Sequence, residues 1–334
     1  MKTLKVLVAG VAITIACQVS AQGPNQSGTY YRNADGEKGA ALKTALAGII
    51  SANTVKRSYN NLWDDFKKTD KRSDGKVWDM YSNATNFTFG TDQDRGSHPE
   101  EGYSYNREHS FPNSWWGGTK DDAMYTDLFH LYPTDAYVNE KRSNYPFGET
   151  NGNSFTSSCG FSKLGSCTVS GYTKTVFEPN DEYKGDFART YFYMVTRYES
   201  VIGSWTTAKS HTLDGLKYPG LQQWQLNMLL RWAENDPVSE KEIKRNQAVY
   251  GIQKNRNPFI DYPGLEQYIW GTLKDVPFSY NNYGEPAGIE ELENDTEAKS
   301  IDDETIYNLR GQRIDESQLS PGVYIRGGKK FIVR

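Results

Sequence analysis

The stretch from Asn106 to Asn144 constrains the fold most. Within it NREHSFP (106–112) reads as a strand and SWWGGTKDD (114–122) as a turn-rich connection. TDLFHLYP (126–133) reads as a second strand, and Asn139 opens a segment able to form a short helix. Strand, strand, helix is a compact frame in which side chains from a strand and a helix can meet. Glu108 and His109 are adjacent in the first strand, and neighbours in a strand point to opposite faces. A strand end or a bulge would let the two flank one site from its two sides.

A neutral imidazole can take a proton from water near neutral pH. A carboxylate and an amide oxygen can hold a hard divalent cation while leaving positions for water and substrate. NREHSFP, taken with DLFHLYPTDAYVNEKRSNYPFGE (127–149), resembles the paired motifs of the endonuclease I family, nucleases of the ββα-metal (His-Me finger) class. EPNDEYKGDFARTYFYMVTRY and the run from RNQAVYGIQKNRNPFID to PGLEQYIWG extend the likeness over most of residues 35–275.

The resemblance implies an α+β fold, with a ββα-metal finger embedded in a mostly helical domain. It implies His109 as general base, and Glu108 and Asn139 as holders of one divalent cation. Mg2+ is the expected ion, with Ca2+ or Mn2+ as alternatives. It further implies a monomer cutting DNA, and RNA in some settings, to give 5′-phosphate ends. The family's arginine between the two strands has no clear counterpart here. Lys120 is the one basic residue in SWWGGTKDDAMYT, and Arg142, three residues after Asn139, is the other candidate phosphate contact. Tyr125 stands where some members carry a glutamate. His130 either orients the site by hydrogen bonding or packs in the core, and Asn139 could equally cap a helix.

The first 21 residues read as a secretory signal: Lys2 and Lys5, an apolar run from Val6 to Ala16, then Val19-Ser20-Ala21. A lipoprotein signal using Cys17 is the alternative. Export to the extracellular space or cell surface, with the periplasm as transit, leaves Cys159 and Cys167 in an oxidising compartment. A Cys159–Cys167 disulfide closing the Gly/Ser-rich loop between them would contribute about 2–3 kcal/mol. No other apolar run is long enough to span a bilayer.

Helical spacing marks 39–53, 58–70, 185–200, 221–236 and 238–253 in the domain 22–287. Phe187, Tyr191, Met194, Val195 and Tyr198 form one stripe, and Ser239 with Glu242 makes a capping box. TNFTFG (85–90) reads as a further strand. Residues 288–304 have the acidic composition of a linker, and 305–334 alternate like a small β module. That last piece resembles the sorting tails of the type IX secretion pathway, on YNLRGQR and PGVYI; the last hairpin of the main domain is the alternative.

The net charge of −4 excludes a protein that grips nucleic acid by long-range attraction alone. Local groups would include Lys241, Lys244 and Arg245 as a basic edge, and Trp115 and Trp116 as stacking surfaces. His98 and His211 read as loop residues. A secreted carbohydrate hydrolase would need two facing carboxylates, and no such pair stands out. A noncatalytic surface-binding protein is the third reading, against which Glu108, His109 and Asn139 all argue.

Overall fold

Helices α1 (Gly39–Ser51) and α2 (Leu62–Thr69) precede strand β1 (Tyr105–His109), which pairs antiparallel with β2 (Leu131–Asp135). Helix α3 (Ala136–Arg142) follows β2 with no connecting residue and packs on both strands. The computed structural model describes residues 23–208, 211–283, 305–308, 313–319, 322–326 and 329–333, without the Cys159 side chain. The signal segment 1–21 and the acidic stretch 288–304 lie outside the described residues.

The second strand begins five residues later than its hydrophobic pattern suggests. Over 127–130 the backbone donors go to side chains or turn carbonyls instead of a ladder: Leu128 N–H donates to Gln253 Oε1 at 3.0 Å, Phe129 N–H to Asp127 Oδ1 at 3.1 Å, and His130 N–H to the Asp127 carbonyl at 3.2 Å. TNFTFG is not a strand either. Thr88 N–H is taken by Asp92 at 2.7 Å, while Phe87 and Phe89 turn their rings onto Tyr105. Asn139 lies inside α3 and does not begin it; the cap is Asp135, whose Oδ1 accepts the Val138 N–H at 2.9 Å.

Beyond α3 come a three-stranded antiparallel sheet, β3 (Phe155–Thr156), β4 (Lys163–Ser166) and β5 (Thr175–Glu178), and then α4 (Lys184–Arg197). Cys167 just after β4 is a free thiol, and its Sγ accepts the Val169 N–H. The other half of the expected disulfide, the Cys159 side chain, is outside the described residues.

Helix α4 is buried on every face from Gly185 to Arg197, so the apolar stripe is only part of its contact surface. Its polar groups are matched within the core. Arg189 Nε meets Glu242 Oε1 at 2.6 Å, and Arg197 pairs with Asp127. Around it pack α1, α5 (Gln223–Asn235) and α7 (Pro258–Asp261), with α6 (Glu240–Gln253) against α2 and α8 (Leu265–Ile269) against α1. The Ser239–Glu242 capping box is formed at the start of α6.

A second compact unit begins at Gly284. Its described strands are β6 (Ile306–Asn308), β7 (Arg313–Ile314), β8 (Gly322–Arg326) and β9 (Lys329–Val333), antiparallel in the order β7-β6-β8-β9.

Candidate active site

Strand alternation puts Arg107 and His109 on one face of β1, and Asn106 and Glu108 on the other. His109 is the last residue of β1. Around this strand end both Glu108 and His109 reach one cavity of about 390 Å³, whose wall also includes Tyr59, Arg107 and Asn139.

Asn139 is held by its amide nitrogen, which donates to Asn106 Oδ1 at 2.7 Å, and its side chain also meets Glu108. Glu108 is buried, and its Oε1 accepts from Tyr81 Oη at 2.7 Å and from Arg142 Nη1 at 2.8 Å. Burial raises the Glu108 pKa, while the Arg142 charge and the Tyr81 hydroxyl pull it back down.

Two backbone carbonyls of the 3-10 turn Ala123–Thr126 orient two imidazoles. His109 Nε2 lies 3.0 Å from the Tyr125 carbonyl and His130 Nε2 lies 2.6 Å from that of Met124. Each Nε2–H therefore donates to a carbonyl, which leaves Nδ1 of His109 as an acceptor. The Tyr59 ring lies nearly parallel to the His109 ring, 16° and 6.1 Å away. Burial, with His130 nearby, lowers the His109 pKa to about 3; burial lowers that of His130 to about 4. His109 is thus held neutral, the form that can take a proton.

Comparison with known proteins decides what this arrangement belongs to. The model of the family described as Endonuclease I matches residues 38–264. The chain belongs to the endonuclease I family. It is therefore a nuclease, a phosphodiester hydrolase. It is 35% identical over 246 residues to an extracellular ribonuclease of Bacillus amyloliquefaciens, covering 72% of this chain and 78% of the relative. A second extracellular ribonuclease, from Bacillus subtilis (strain 168), is 35% identical over 250 residues with the same coverage. An extracellular deoxyribonuclease of Aeromonas hydrophila is 28% identical over 142 residues, 42% of this chain and 51% of that one.

In this member of the endonuclease I family, the oxygen donors on the cavity wall suit a hard cation. Glu108 offers the carboxylate oxygen that Arg142 and Tyr81 do not use, and Asn139 offers Oδ1. Two oxygen donors leave most of a Mg2+ shell to water and substrate. No cluster of three or more His, Cys, Asp or Glu side chains suited to a metal occurs among the described residues.

The two candidate phosphate contacts are placed differently from one another. Arg142 also lines the cavity, is 1% exposed, and donates to Glu108 and to the His109 and Ser110 carbonyls, which holds Glu108 in place. Lys120 is exposed and does not line the cavity. His130 is fully buried, its ring 5.5 Å from that of His109.

The expected basic edge on α6 does not form. Lys241 is bound to Asp186 at 2.9 Å and Arg245 to Asp70 at 2.8 Å, which leaves only Lys244 exposed. Trp115 is buried against Phe111, while Trp116 is half-buried and edge-on to His109. His98 pairs with Asp94 and Glu140, and His211 Nδ1 lies 2.7 Å from the Tyr172 hydroxyl. Sequence reading missed Tyr81, Asn106 and Tyr59 as parts of the site. Of the three only Asn106 carried a signal, since it shares the Glu108 face of the strand.

Proposed function

We propose that this is a secreted, cation-dependent endonuclease with little sequence preference, acting on DNA and RNA and leaving 5′-phosphate ends. One observation carries the reading: the Tyr125 carbonyl fixes His109 with Nδ1 as acceptor, in the same cavity as the Glu108 and Asn139 oxygens. His109 takes the proton of the attacking water as its oxygen bonds to phosphorus and the bond to the 3′ oxygen breaks. Glu108 and Asn139 would hold one divalent cation, which supplies positive charge to the phosphate and the leaving oxygen. Tyr59 and the carbonyl turn keep the imidazole from rotating away. Arg142 holds Glu108 in place from the buried side.

Secretion is supported by the signal-like residues 1–21 and by relatives named extracellular nucleases. Action on both nucleic acids is supported by relatives named ribonuclease and deoxyribonuclease. The β unit after Gly284 is the candidate sorting tail.

Plasmid and single-stranded RNA are incubated with the protein in Mg2+ and in EDTA, alongside His109→Ala. Cleavage in Mg2+, none in EDTA, and a loss of roughly 10²–10⁴-fold in His109→Ala are expected. Full activity of the alanine variant would remove His109 as the base.

A further inference from the structure

One guanidinium on the cavity wall has no carboxylate partner. Arg107 lies between two rings, 3.6 Å from the Tyr59 centroid and 4.3 Å from that of Trp63. Its Nη1 donates to the Tyr59 carbonyl at 2.8 Å. Among the described residues no ion pair involves it, whereas the buried Arg142, Arg189, Arg197, Arg245 and Arg256 each meet an acid. The side chain is half-buried, also meets the Tyr59 side chain, and borders the same cavity as His109 and Glu108.

Two rings pin the guanidinium plane, so little side-chain freedom is lost when an anion meets its open edge. Arg107 and His109 are also two residues apart on one strand face, about 7 Å along the strand. That separation is the scale of a phosphate and its attacking water. Of the other two basic candidates, Arg142 is on the wall but has its Nη1 and Nη2 on Glu108 and backbone carbonyls, and Lys120 is off the wall.

Resting on the nuclease reading above, we propose that Arg107 grips a non-bridging oxygen of the phosphodiester being cut, from the His109 side. The strand thereby carries its own phosphate clamp, one residue before the carboxylate and two before the base.

Two measurements on the full chain test it. The first is steady-state cleavage of a short labelled oligonucleotide in Mg2+ by wild type, Arg107→Met and Arg107→Lys. Arg107→Met is expected to lower kcat/KM roughly 10–100-fold, mostly through kcat, as loss of a charge-assisted bond made to the reacting group. The second is binding of the same oligonucleotide across a salt series, in a His109→Ala background that leaves it uncut. Arg107→Met is expected to flatten the slope of log K against log salt by about 0.7–0.9, the loss of one neutralised phosphate. Arg107→Lys keeps the charge and should keep the slope while recovering only part of kcat.

Arg107→Met with the wild-type slope, or with only KM raised, would overturn the proposal, as would equal loss of slope in the lysine variant. Should the methionine variant melt early, Arg107→Gln, which can still donate to the Tyr59 carbonyl, is read in the same way. A purely packing role would move the melting temperature and leave the salt slope alone. Wild-type cleavage by His109→Ala would sink the proposed base, whereas an unchanged Arg107→Met slope would sink this contact and leave the base standing.

Discussion

Burial keeps His130 neutral, with its Nε2–H on the Met124 carbonyl and its ring beside His109. Its pKa is about 4 in the fold against 6.5 for the free group, so the unfolded chain binds the proton first as pH falls. The stability it confers is complete above pH 6.5 and is lost as pH drops toward 4, on the order of 3 kcal/mol for such a shift. Thermal melts across that range should show a shallower acid loss for His130→Asn than for wild type. Equal slopes would mean that His130 is not the group responsible. The residue pattern singled out Glu108, His109 and Asn139, and the fold brings all three to one cavity wall. The pattern could not show that Arg142 binds Glu108 and two backbone carbonyls, since helical spacing gives a direction around the axis and not what lies there. Arg107 was legible only as a flank, because its significance depends on Tyr59 and Trp63, which arrive from over 40 residues earlier in the chain.

Helix α3 carries Asn139, and its placement depends on Asp135. That carboxylate caps the helix through Val138 N–H and also takes the Gly102 N–H at 2.7 Å, tying α3 to the loop before β1. Asp135→Ala should cost about 1–2 kcal/mol of stability through the lost cap and lower cleavage by letting Asn139 drift. Asp135→Asn, which can still accept, should retain more of both; equal loss in the two variants would remove the cap as cause. Helices α1, α2, α4 and α5 were readable from periodicity because each lays apolar side chains on the core, whereas α6, which buries Glu242, Arg245, Asn246 and Gln253, was marked by its capping box. Strands were less readable, because side chains of Asp127, Gln253 and Asp92 take backbone donors that a ladder would otherwise use. No hydrophobic pattern records that competition.

At the scale of the molecule, every candidate site residue lies in the unit that ends at Tyr283. That unit has its own core around α4, with Phe187, Tyr191 and Met194 fully buried. A chain ending at Tyr283 should therefore keep the melting transition and cleavage rate of the full protein; loss of either would show that the unit after Gly284 supports the nuclease. The net charge of −4 fits a protein that attracts its substrate locally at one cavity. The proposed division of labour across that cavity, with Glu108 and Asn139 toward the cation and His109 toward the water, is tested most directly by counting bound Mn2+ by electron paramagnetic resonance. One ion per chain is expected in wild type and in His109→Ala, and a large loss of affinity in Glu108→Gln and Asn139→Ala. Binding that survives in Glu108→Gln, or disappears in His109→Ala, would contradict the assignment.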